Sequence, residues 1–431
     1  MSRNAEAVLV AAASVLAALG VAMSGFAAGR WLDAEAALTL LTFLLAFGGL
    51  HIAIRAWAPN ATPALLPIAA FLSAIGFTEV HRIDPQLAAL QRWSFLIAAG
   101  AAVLTLRFLR NSGVDVLRRY RYIFLALAVG LLLLPLLPDS WLVHGATVNG
   151  SRLWVRMEPP FLPRAFSFQP GEVAKVLLTV FLASYLADRA DSLAASRRRL
   201  GRIELPEPRN LAPILLAAVA AFGVLTMQRD LGAALLLFAL FIGMLYVATG
   251  RASYLGIGVA AVAVAFVASY QLFDHVQRRI TGWLDPFADY TGSGYQVVQG
   301  LFALGSGSLT GSGIGLGRPD LIPAAATDYV FAAVGEEMGL AGSLAVIVGY
   351  ALIVTIGFGI ALRSRDRFRK YLASGLTILV GLQAVLIIAG VLRMFPVTGI
   401  TLPFMSYGGS SLLASMITLA LLARISHEER T

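Results

Sequence analysis

Long uninterrupted runs of apolar residues dominate the pattern of hydrophobic and polar positions along this chain. The runs are built from Leu, Ala, Val, Ile and Phe without strict alternation, which favours helices over the strands of an outer-membrane barrel. About 20 consecutive apolar residues span a bilayer as a helix. The pattern predicts an all-α polytopic membrane protein with about twelve transmembrane helices. The predicted spans lie near residues 6–28, 36–57, 61–78, 92–109, 121–138, 171–188, 211–227, 231–249, 253–272, 328–360, 370–392 and 403–424.

Composition excludes a water-soluble protein. Of the 431 residues, 58% are hydrophobic and only 13% are charged, and the mean hydropathy is +0.78. The chain contains no cysteine, which rules out disulfides, thiolate chemistry and cysteine-based metal sites. Its five histidines are scattered without ligand spacing, so a histidine-based metal site is not expected.

The net charge of +9 is explained by membrane sidedness rather than by nucleic acid. Basic residues concentrate in three short loops, and all three fall on the same side if both termini are cytoplasmic. We therefore predict external loops from about Asp139 to Pro170 and from about Phe273 to Thr327. The first span is predicted to be an uncleaved helix, because its apolar run is long for a signal peptide. The basic residues are Arg107, Arg110, Arg118, Arg119 and Arg121, then Arg197, Arg198, Arg199 and Arg202, then Arg363, Arg365, Arg367, Arg369 and Lys370.

The second external loop carries nine glycines among the 26 residues from Gly292 to Gly317. A phosphate-binding loop is excluded, because the two lysines of the chain lie elsewhere and GxxxxGK[ST] has no match. The dinucleotide pattern GxGxxG also fails, since Thr310 and Leu316 stand where its third glycine is required. The run indicates a flexible or tightly turned loop, either close to a ligand or simply connecting two spans.

Two ionisable residues share one face of the sixth predicted span. Glu172 and Lys175 are three positions apart, one turn inside the predicted outer boundary. A charge within the hydrocarbon region costs roughly 2.5–3.5 kcal/mol on insertion scales, so it needs a partner or a polar cavity. The pair is interpreted either as a structural ion pair or as part of a functional cavity that also includes Asp230.

Other acidic residues also begin predicted spans. Asp230 precedes the eighth span and Asp328 opens the tenth, and each suits either a helix cap or a functional site. Glu336 and Glu337 follow about two turns into the tenth span, which favours a polar cavity there. Near the C-terminus, the prolines and glycines of residues 395–413 exclude an unbroken helix and indicate a cavity wall or a packing seam.

Several segments together resemble the SEDS family, which comprises RodA, FtsW and SpoVE. They occur in order over about residues 61–424, and the combination is specific although each piece alone is weak. The segments are NGSRLWVR (149–156), FQPGEVAKV (168–176), QRDLG (228–232), WLDPFAD and GSGYQVVQ (283–299), TDYVFAAVGEEMGL (327–340) and GITLPFMSYGGSSLL (399–413).

The resemblance implies a peptidoglycan glycosyltransferase that polymerises lipid II at the outer face of the cytoplasmic membrane, with a class B penicillin-binding protein as its crosslinking partner. The family usually has ten spans, and residues 81–95 resemble the segment before its second span. Residues 1–60 are therefore predicted to be two additional N-terminal transmembrane helices, and residues 61–431 a SEDS-like core. A lipid II flippase and a scaffold for the penicillin-binding protein remain the alternatives.

By resemblance, Asp328 matches the family's essential aspartate and is predicted to be the catalytic base. Cationic groups such as Lys175 and Arg152 are predicted to offset the charge of the lipid diphosphate. A divalent cation, Mg²⁺ or Mn²⁺, would serve the same purpose, although no dedicated protein site for it is evident. The predicted substrate-binding residues are Arg152, Glu172, Lys175, Asp230, Tyr295, Gln296 and Ser406.

Four positions depart from the commoner family pattern. Ala326 stands where a histidine often occurs, Gly171 replaces a serine, Arg229 a proline and Thr398 a lysine. Any role that requires the missing histidine or lysine is therefore in doubt. The short tail after Ile425 and the lack of long cytoplasmic extensions favour an elongation protein like RodA over a division protein like FtsW.

Overall fold

The computed structural model describes residues 1–29, 34–138, 143–148, 151–157, 166–195, 198–200, 203–205 and 208–431. Helices make up most of it. The basic positions Arg197 and Arg202 lie outside the described residues, as does part of the segment between Asp139 and Pro170. The helices are α1 (Arg3–Ala27), α2 (Ala34–Phe43), α3 (Gly49–Trp57), α4 (Leu65–Ile83), α5 (Pro85–Ser112), α6 (Asp115–Arg119), α7 (Arg121–Leu133), α8 (Pro170–Ala195), α9 (Pro208–Met227), α10 (Leu231–Thr249), α11 (Ala252–Leu272), α12 (Asp274–Leu284), α13 (Tyr295–Gly307), α14 (Val330–Arg363), α15 (Arg367–Val391) and α16 (Gly409–Glu428).

Ten helical segments of the described chain are long and apolar enough to cross a membrane. One of them joins α2 and α3 through a π-helical turn at Leu44–Gly48. The two other predicted spans, near 121–138 and 211–227, correspond to the apolar helical segment Arg121–Leu136 and to α9. The predicted polytopic helical class is therefore confirmed. Helices dominate because each satisfies its backbone hydrogen bonds internally, as a bilayer requires.

Short strands occur between the long helices, which the all-α prediction did not include. Strands β1 (Val143–Val148), β2 (Ser151–Met157) and β3 (Phe166–Phe168) form an antiparallel sheet in that order. Strands β4 (Arg198–Leu200) and β5 (Ile203–Leu205) form a separate antiparallel pair. The strands are too short and irregular to give an alternating signal beside the long apolar runs.

The glycine-rich run is only partly a loop. Its first half forms α13, which the density of glycine concealed because glycine disfavours helices. Its second half has the tight turns that the sequence indicates, with positive φ at Gly311, Gly313 and Gly315. At Gly300, inside α13, an added Cβ would lie 2.6 Å from the ring of Tyr329. Close packing on this tyrosine therefore explains the glycine inside the helix.

The chain forms two compact units. The first unit contains residues 1–110, 266–356 and 383–431, and the second contains residues 111–265 and 357–382. Both are built from segments that are distant in the sequence.

Direct backbone contact forms the centre of the first unit. Helix α1 packs along α4, and most of α4 and α16 is buried. A Cβ added at Gly76 of α4 would lie 2.3 Å from the carbonyl oxygen of Met405. Met405 belongs to the irregular segment between α15 and α16, so the absence of a side chain at Gly76 lets that segment lie against α4. This segment includes the non-helical stretch that the sequence predicts before α16.

A break in α14 is fixed by the glycine-rich turns of the same unit. Gly339 has φ 65° and ψ −161°, values outside the helical range. The amide of Leu340, which follows it, donates to the carbonyl oxygen of Ser308 at 3.0 Å. A hydrogen bond lost at the break is thus replaced by one to the turn after α13.

Glu336 and Glu337 bind backbone amides of the same turns. An Oε of Glu337 accepts from the amide of Gly315 at 2.7 Å, and an Oε of Glu336 accepts from the amide of Arg318 at 2.8 Å. Arg82 of α4 lies 3.2 Å from the other carboxylate oxygen of Glu337. These two glutamates, which the sequence associated with a polar cavity, therefore hold a tightly turned segment in place.

The helix ends of the second unit carry a network of ion pairs. Arg118 and Arg121 each contact one carboxylate oxygen of Asp188 near the end of α8. Arg369, in the first turn of α15, lies 2.6 Å from Asp115. Two of the three predicted basic loops therefore meet at one end of this unit, as the charge pattern predicts.

We expect Gly76→Ala to lower the free energy of unfolding by about 1–3 kcal/mol, because its Cβ would overlap backbone atoms of Met405 that have little room to move. The melting temperature of the detergent-solubilised protein measures this. Gly100→Ala in α5 is the matched control, since nothing lies within 4 Å of its Cβ position. An equal melting temperature for the two variants would contradict the close contact.

Candidate active site

Asp328 lies in the first unit, in the turn that leads into α14. The hydroxyl of Thr327 donates a hydrogen bond to Oδ1 of Asp328 at 2.6 Å. Within the described chain, the partners of this carboxylate are that hydroxyl and its own backbone amide. The amides of the first turn of α14 are not among them. This geometry favours a functional site over the helix cap that the sequence left open.

Burial raises the pKa of the Asp328 carboxyl above its ordinary value. The Thr327 hydrogen bond, the backbone amide and the positive charge of Arg279 act in the opposite direction and lower it. Desolvation is the largest of these effects. A carboxylate with a raised pKa is a stronger base than one free in water, which suits proton abstraction.

Arg279 was missed by the sequence analysis. It lies on α12, a short helix before the glycine-rich run, where Val276 and Ile280 are buried and Arg279 is exposed. Its guanidinium lies 3.8 Å from the Cβ position of Gly399. The available signal was the amphipathic pattern of residues 274–284, which presents arginine on the polar face of a helix between two spans.

The segment that carries Asp328 is held by the irregular stretch before α16. The Ser406 hydroxyl donates to the carbonyl oxygen of Thr327 and accepts from the amide of Leu402 at 2.8 Å. The amide of Tyr407 donates to the carbonyl oxygen of Ala326 at 2.7 Å. Ser406 is buried, with an exposed fraction of 5%. The structure thus places Ser406 as a support for the backbone beside Asp328.

Helix α13 packs against the same turn. The side-chain amide of Gln296 donates to the carbonyl oxygen of Pro323 at 3.0 Å. Tyr295 is the first residue of α13 and is half-buried. Tyr329, next to Asp328, is completely buried, and burial raises the pKa of its hydroxyl. The buried Tyr329 ring therefore anchors this turn in the protein interior, and the neighbouring Asp328 carboxylate stays half-buried.

The predicted charge pair lies in the second unit. Nζ of Lys175 lies 2.9 Å from Oε1 of Glu172, and both side chains are buried in α8. The shared helical face predicted from their spacing is therefore present. Because each charge is compensated by the other, this contact by itself fits a structural ion pair, and a role in substrate binding stays a prediction.

Arg152 and Asp230 belong to the same unit. The backbone amide of Arg152 donates to the carbonyl oxygen of Gln228 at 3.3 Å, and its guanidinium donates to the carbonyl oxygen of Leu137 at 2.8 Å. Asp230 caps α10, since its Oδ1 accepts from the amide of Ala233 at 2.9 Å. The capping alternative for Asp230 is thus present in the structure. Its predicted substrate contact stays untested.

The structure shows the backbone conformation or hydrogen bonding at two of the positions that depart from the family pattern. Arg229 has φ 61°, a value that proline cannot adopt because its ring fixes φ near −65°. A proline at this position would therefore require a different turn before α10. Ala326 is buried, and its carbonyl oxygen accepts the Tyr407 amide, so its backbone keeps a supporting role where a histidine is absent.

No group of three or more His, Asp or Glu side chains in the described chain is arranged to hold a metal ion. Asp328 is the acidic side chain of the site in the first unit. A divalent cation at this site would therefore need ligands from the substrate and water in addition to Asp328.

Comparison with known families identifies the chain. The model of the FtsW, RodA and SpoVE family, described as "Cell cycle protein", matches residues 51–431. The chain belongs to the FtsW, RodA and SpoVE family.

Named relatives match nearly the whole chain. Peptidoglycan glycosyltransferase RodA of Mycobacterium tuberculosis (strain H37Rv) is 40% identical over 99% of this chain and 91% of its own length. Stage V sporulation protein E of Bacillus subtilis (strain 168) is 32% identical over 78% of this chain and 86% of its own length. The chain is thus a membrane enzyme of a family of peptidoglycan glycosyltransferases.

Solved structures share the fold. A chain from a peptidoglycan synthase complex, described as coordinating polymerization and crosslinking, is 25% identical and matches with a TM-score of 0.65 over 86% of this chain and 98% of its own. The rod shape determining protein RodA of Thermus thermophilus is also 25% identical and matches with a TM-score of 0.59 over the same shares. Both similarities support the polytopic fold.

We expect Lys175→Ala to destabilise the protein by about 3–5 kcal/mol, because it leaves the buried Glu172 carboxylate without its charge partner. Thermal unfolding in detergent measures the effect. The double variant Glu172→Gln with Lys175→Met removes both charges and should recover most of the stability. A double variant as unstable as Lys175→Ala would show that the charge pair is not the cause.

Proposed function

We propose that this chain polymerises lipid II into glycan strands at the outer face of the cytoplasmic membrane, with Asp328 as the catalytic base. The observation that carries the proposal is the half-buried Asp328 carboxylate, which is oriented by the Thr327 hydroxyl and has a raised pKa. The names of relatives that match 99% of the chain support this reaction.

The chemistry needs one proton acceptor beside the attacking hydroxyl. The Asp328 carboxylate takes the proton as the acceptor sugar oxygen forms a bond to the anomeric carbon of the donor. The bond from that carbon to the diphosphate oxygen breaks, and the lipid diphosphate leaves with the electron pair. A single displacement of this kind inverts the configuration at the anomeric carbon.

Charge on the leaving diphosphate requires a cationic partner. Arg279 is the cation whose charge acts on Asp328 within the first unit, and we assign it to this task beside Asp328. Lys175 and Arg152, which the sequence nominated, lie in the second unit and have partners there. Their binding of substrate stays a prediction, as do the contacts predicted for Glu172, Asp230, Tyr295, Gln296 and Ser406.

A divalent cation fits the site only as a bridge between the Asp328 carboxylate and the diphosphate of the substrate. If Mg²⁺ or Mn²⁺ is used, Asp328 would supply the protein ligand, and diphosphate oxygens and water would complete the coordination. The ion would then supply positive charge to the leaving group.

The proposal also includes the orientation of the chain in the membrane and its protein partner. Both termini are placed in the cytoplasm and the Asp328 turn outside, because the basic loops then lie on the cytoplasmic side. The similarity to a chain of a synthase complex that joins polymerization to crosslinking supports a class B penicillin-binding protein as the partner.

Topology is tested by reporter fusions. We expect an alkaline phosphatase fusion near Ser312 to be active and a fusion near Arg199 to be inactive, because alkaline phosphatase becomes active only outside the cytoplasm. The reverse pattern would overturn the proposed sidedness and the location of the reaction.

We expect Asp328→Asn to lower the rate of glycan polymerisation at least about 100-fold with normal membrane insertion, because an amide keeps the shape but cannot accept the proton. The assay is polymer formation from lipid II by purified protein in detergent. Asp320→Asn, an exposed position in the same segment, is the matched control and should keep its activity. Near-normal synthesis by Asp328→Asn would remove it as the base. Absence of polymer from folded wild-type protein would favour the flippase or scaffold alternative.

The pH dependence tests Arg279. Asp328 works only when deprotonated, so the rate should fall as the pH drops through its pKa. Because the positive charge of Arg279 lowers that pKa, we expect Arg279→Gln to move the acidic limb of the rate profile to higher pH. Arg278→Gln, an exposed neighbour on the same helix, should leave the limb in place. If the acidic limb lay at the same pH in both variants and in wild type, the charge of Arg279 would have no influence on the pKa of Asp328.

A further inference from the structure

The second unit contains a cavity that plays no part in the proposed reaction. It has a volume of about 430 Å³ and lies where α6, the start of α7 and the end of α8 meet. Its walls combine arginines, aspartates and one aromatic ring, so it is an open, charged cavity at the surface of a mostly apolar protein. The lining residues are Asp115, Arg118, Arg119, Arg121, Tyr122 and Asp188.

The lining has an excess of positive charge. Arg118 and Arg121 share the carboxylate of Asp188, and Asp115 has a partner outside the lining in Arg369 at 2.6 Å. Both carboxylates are therefore compensated. Arg119 is different, because no carboxylate of the described chain lies within ion-pair distance of it.

Arg119 is exposed, and its guanidinium lies 5.9 Å from the ring centre of Tyr120. An aromatic face supports a cation without neutralising it. The guanidinium groups of the cavity keep several N–H donors in a planar arrangement, a geometry that matches the oxygens of a phosphate. The chemistry of the cavity therefore favours a phosphate-bearing anion.

The surroundings of the cavity are those of a membrane boundary. Tyr120, Tyr122 and Ile123 expose 43%, 57% and 55% of their surface where the apolar helix α7 begins. Tyrosines concentrate at the level of lipid headgroups, where their rings are in apolar surroundings and their hydroxyls are in water. A phosphate bound here would thus have room for attached acyl chains beside Ile123 and the apolar surface of α7.

We propose that this cavity binds the phosphate headgroup of an anionic membrane phospholipid. Arg119 supplies the uncompensated charge, and Arg118 and Arg121 supply further donors while they hold Asp188. Tyr122 lines the cavity on the side of the apolar helix and lies 5.1 Å from the guanidinium of Arg121. The site is separate from Asp328, which belongs to the first unit.

Native mass spectrometry of the full chain in detergent tests the proposal. Phosphatidylglycerol is the anionic probe, and phosphatidylcholine of the same acyl chains is the neutral one. We expect Arg119→Gln to weaken phosphatidylglycerol binding about fivefold, as removal of one arginine near an anionic lipid predicts. Phosphatidylcholine binding should not change. Arg363→Gln, an exposed arginine of the same unit outside the cavity, is the matched control and should bind like wild type.

A competition experiment separates a lipid from a soluble anion. Inorganic phosphate, added in large excess over phosphatidylglycerol, should leave the lipid bound, because the acyl chains contribute to its affinity. Displacement by phosphate at concentrations comparable to the lipid would overturn the lipid assignment. Equal phosphatidylglycerol binding by Arg119→Gln and Arg363→Gln, with equal melting temperatures, would overturn the site itself.

Discussion

The hydrocarbon interior of a bilayer offers no water to polar groups, and this constraint governs the whole structure. Backbone groups are satisfied within helices, and an ionisable side chain at this depth is stabilised by a partner inside the protein. Lys175 and Glu172 pair within one helix, whereas Glu336 and Glu337 accept backbone amides from a neighbouring turn. These four side chains are therefore fixed by their partners, and the chain loses the freedom to move them independently.

The same constraint explains where the candidate active site lies. Irregular backbone is tolerated only where other parts of the protein satisfy it. The turn that carries Asp328 and the stretch before α16 satisfy each other through Ser406 and the amide of Tyr407. Two segments that cannot be helical thus create a rigid polar position at the beginning of a long helix, and the Asp328 carboxylate projects from it.

Residues of the candidate site differ in what supports their assignment. Asp328 has a raised pKa and a single oriented hydrogen bond from a side chain. Asp230, equally acidic and equally placed at a helix start, serves as an N-cap. Spacing in the sequence could not separate these two residues, because an N-cap and a catalytic base both occur immediately before an apolar helix. The structure shows that their hydrogen-bond partners differ: Asp230 accepts from an amide of its own helix, and Asp328 accepts from the Thr327 hydroxyl.

The sequence by itself determined the helical class, the approximate spans, the break before α16 and the charge pair of α8, because each depends on residues close together along the chain. The family resemblance added the role of catalytic base for Asp328. Only the tertiary structure decided that Ser406 supports Thr327 and that Arg279 comes within electrostatic range of Asp328, since these interactions join residues far apart in the sequence. The short strands and α13 were also decided there, because their local propensity is weak and packing of distant segments supplies the stabilising contacts.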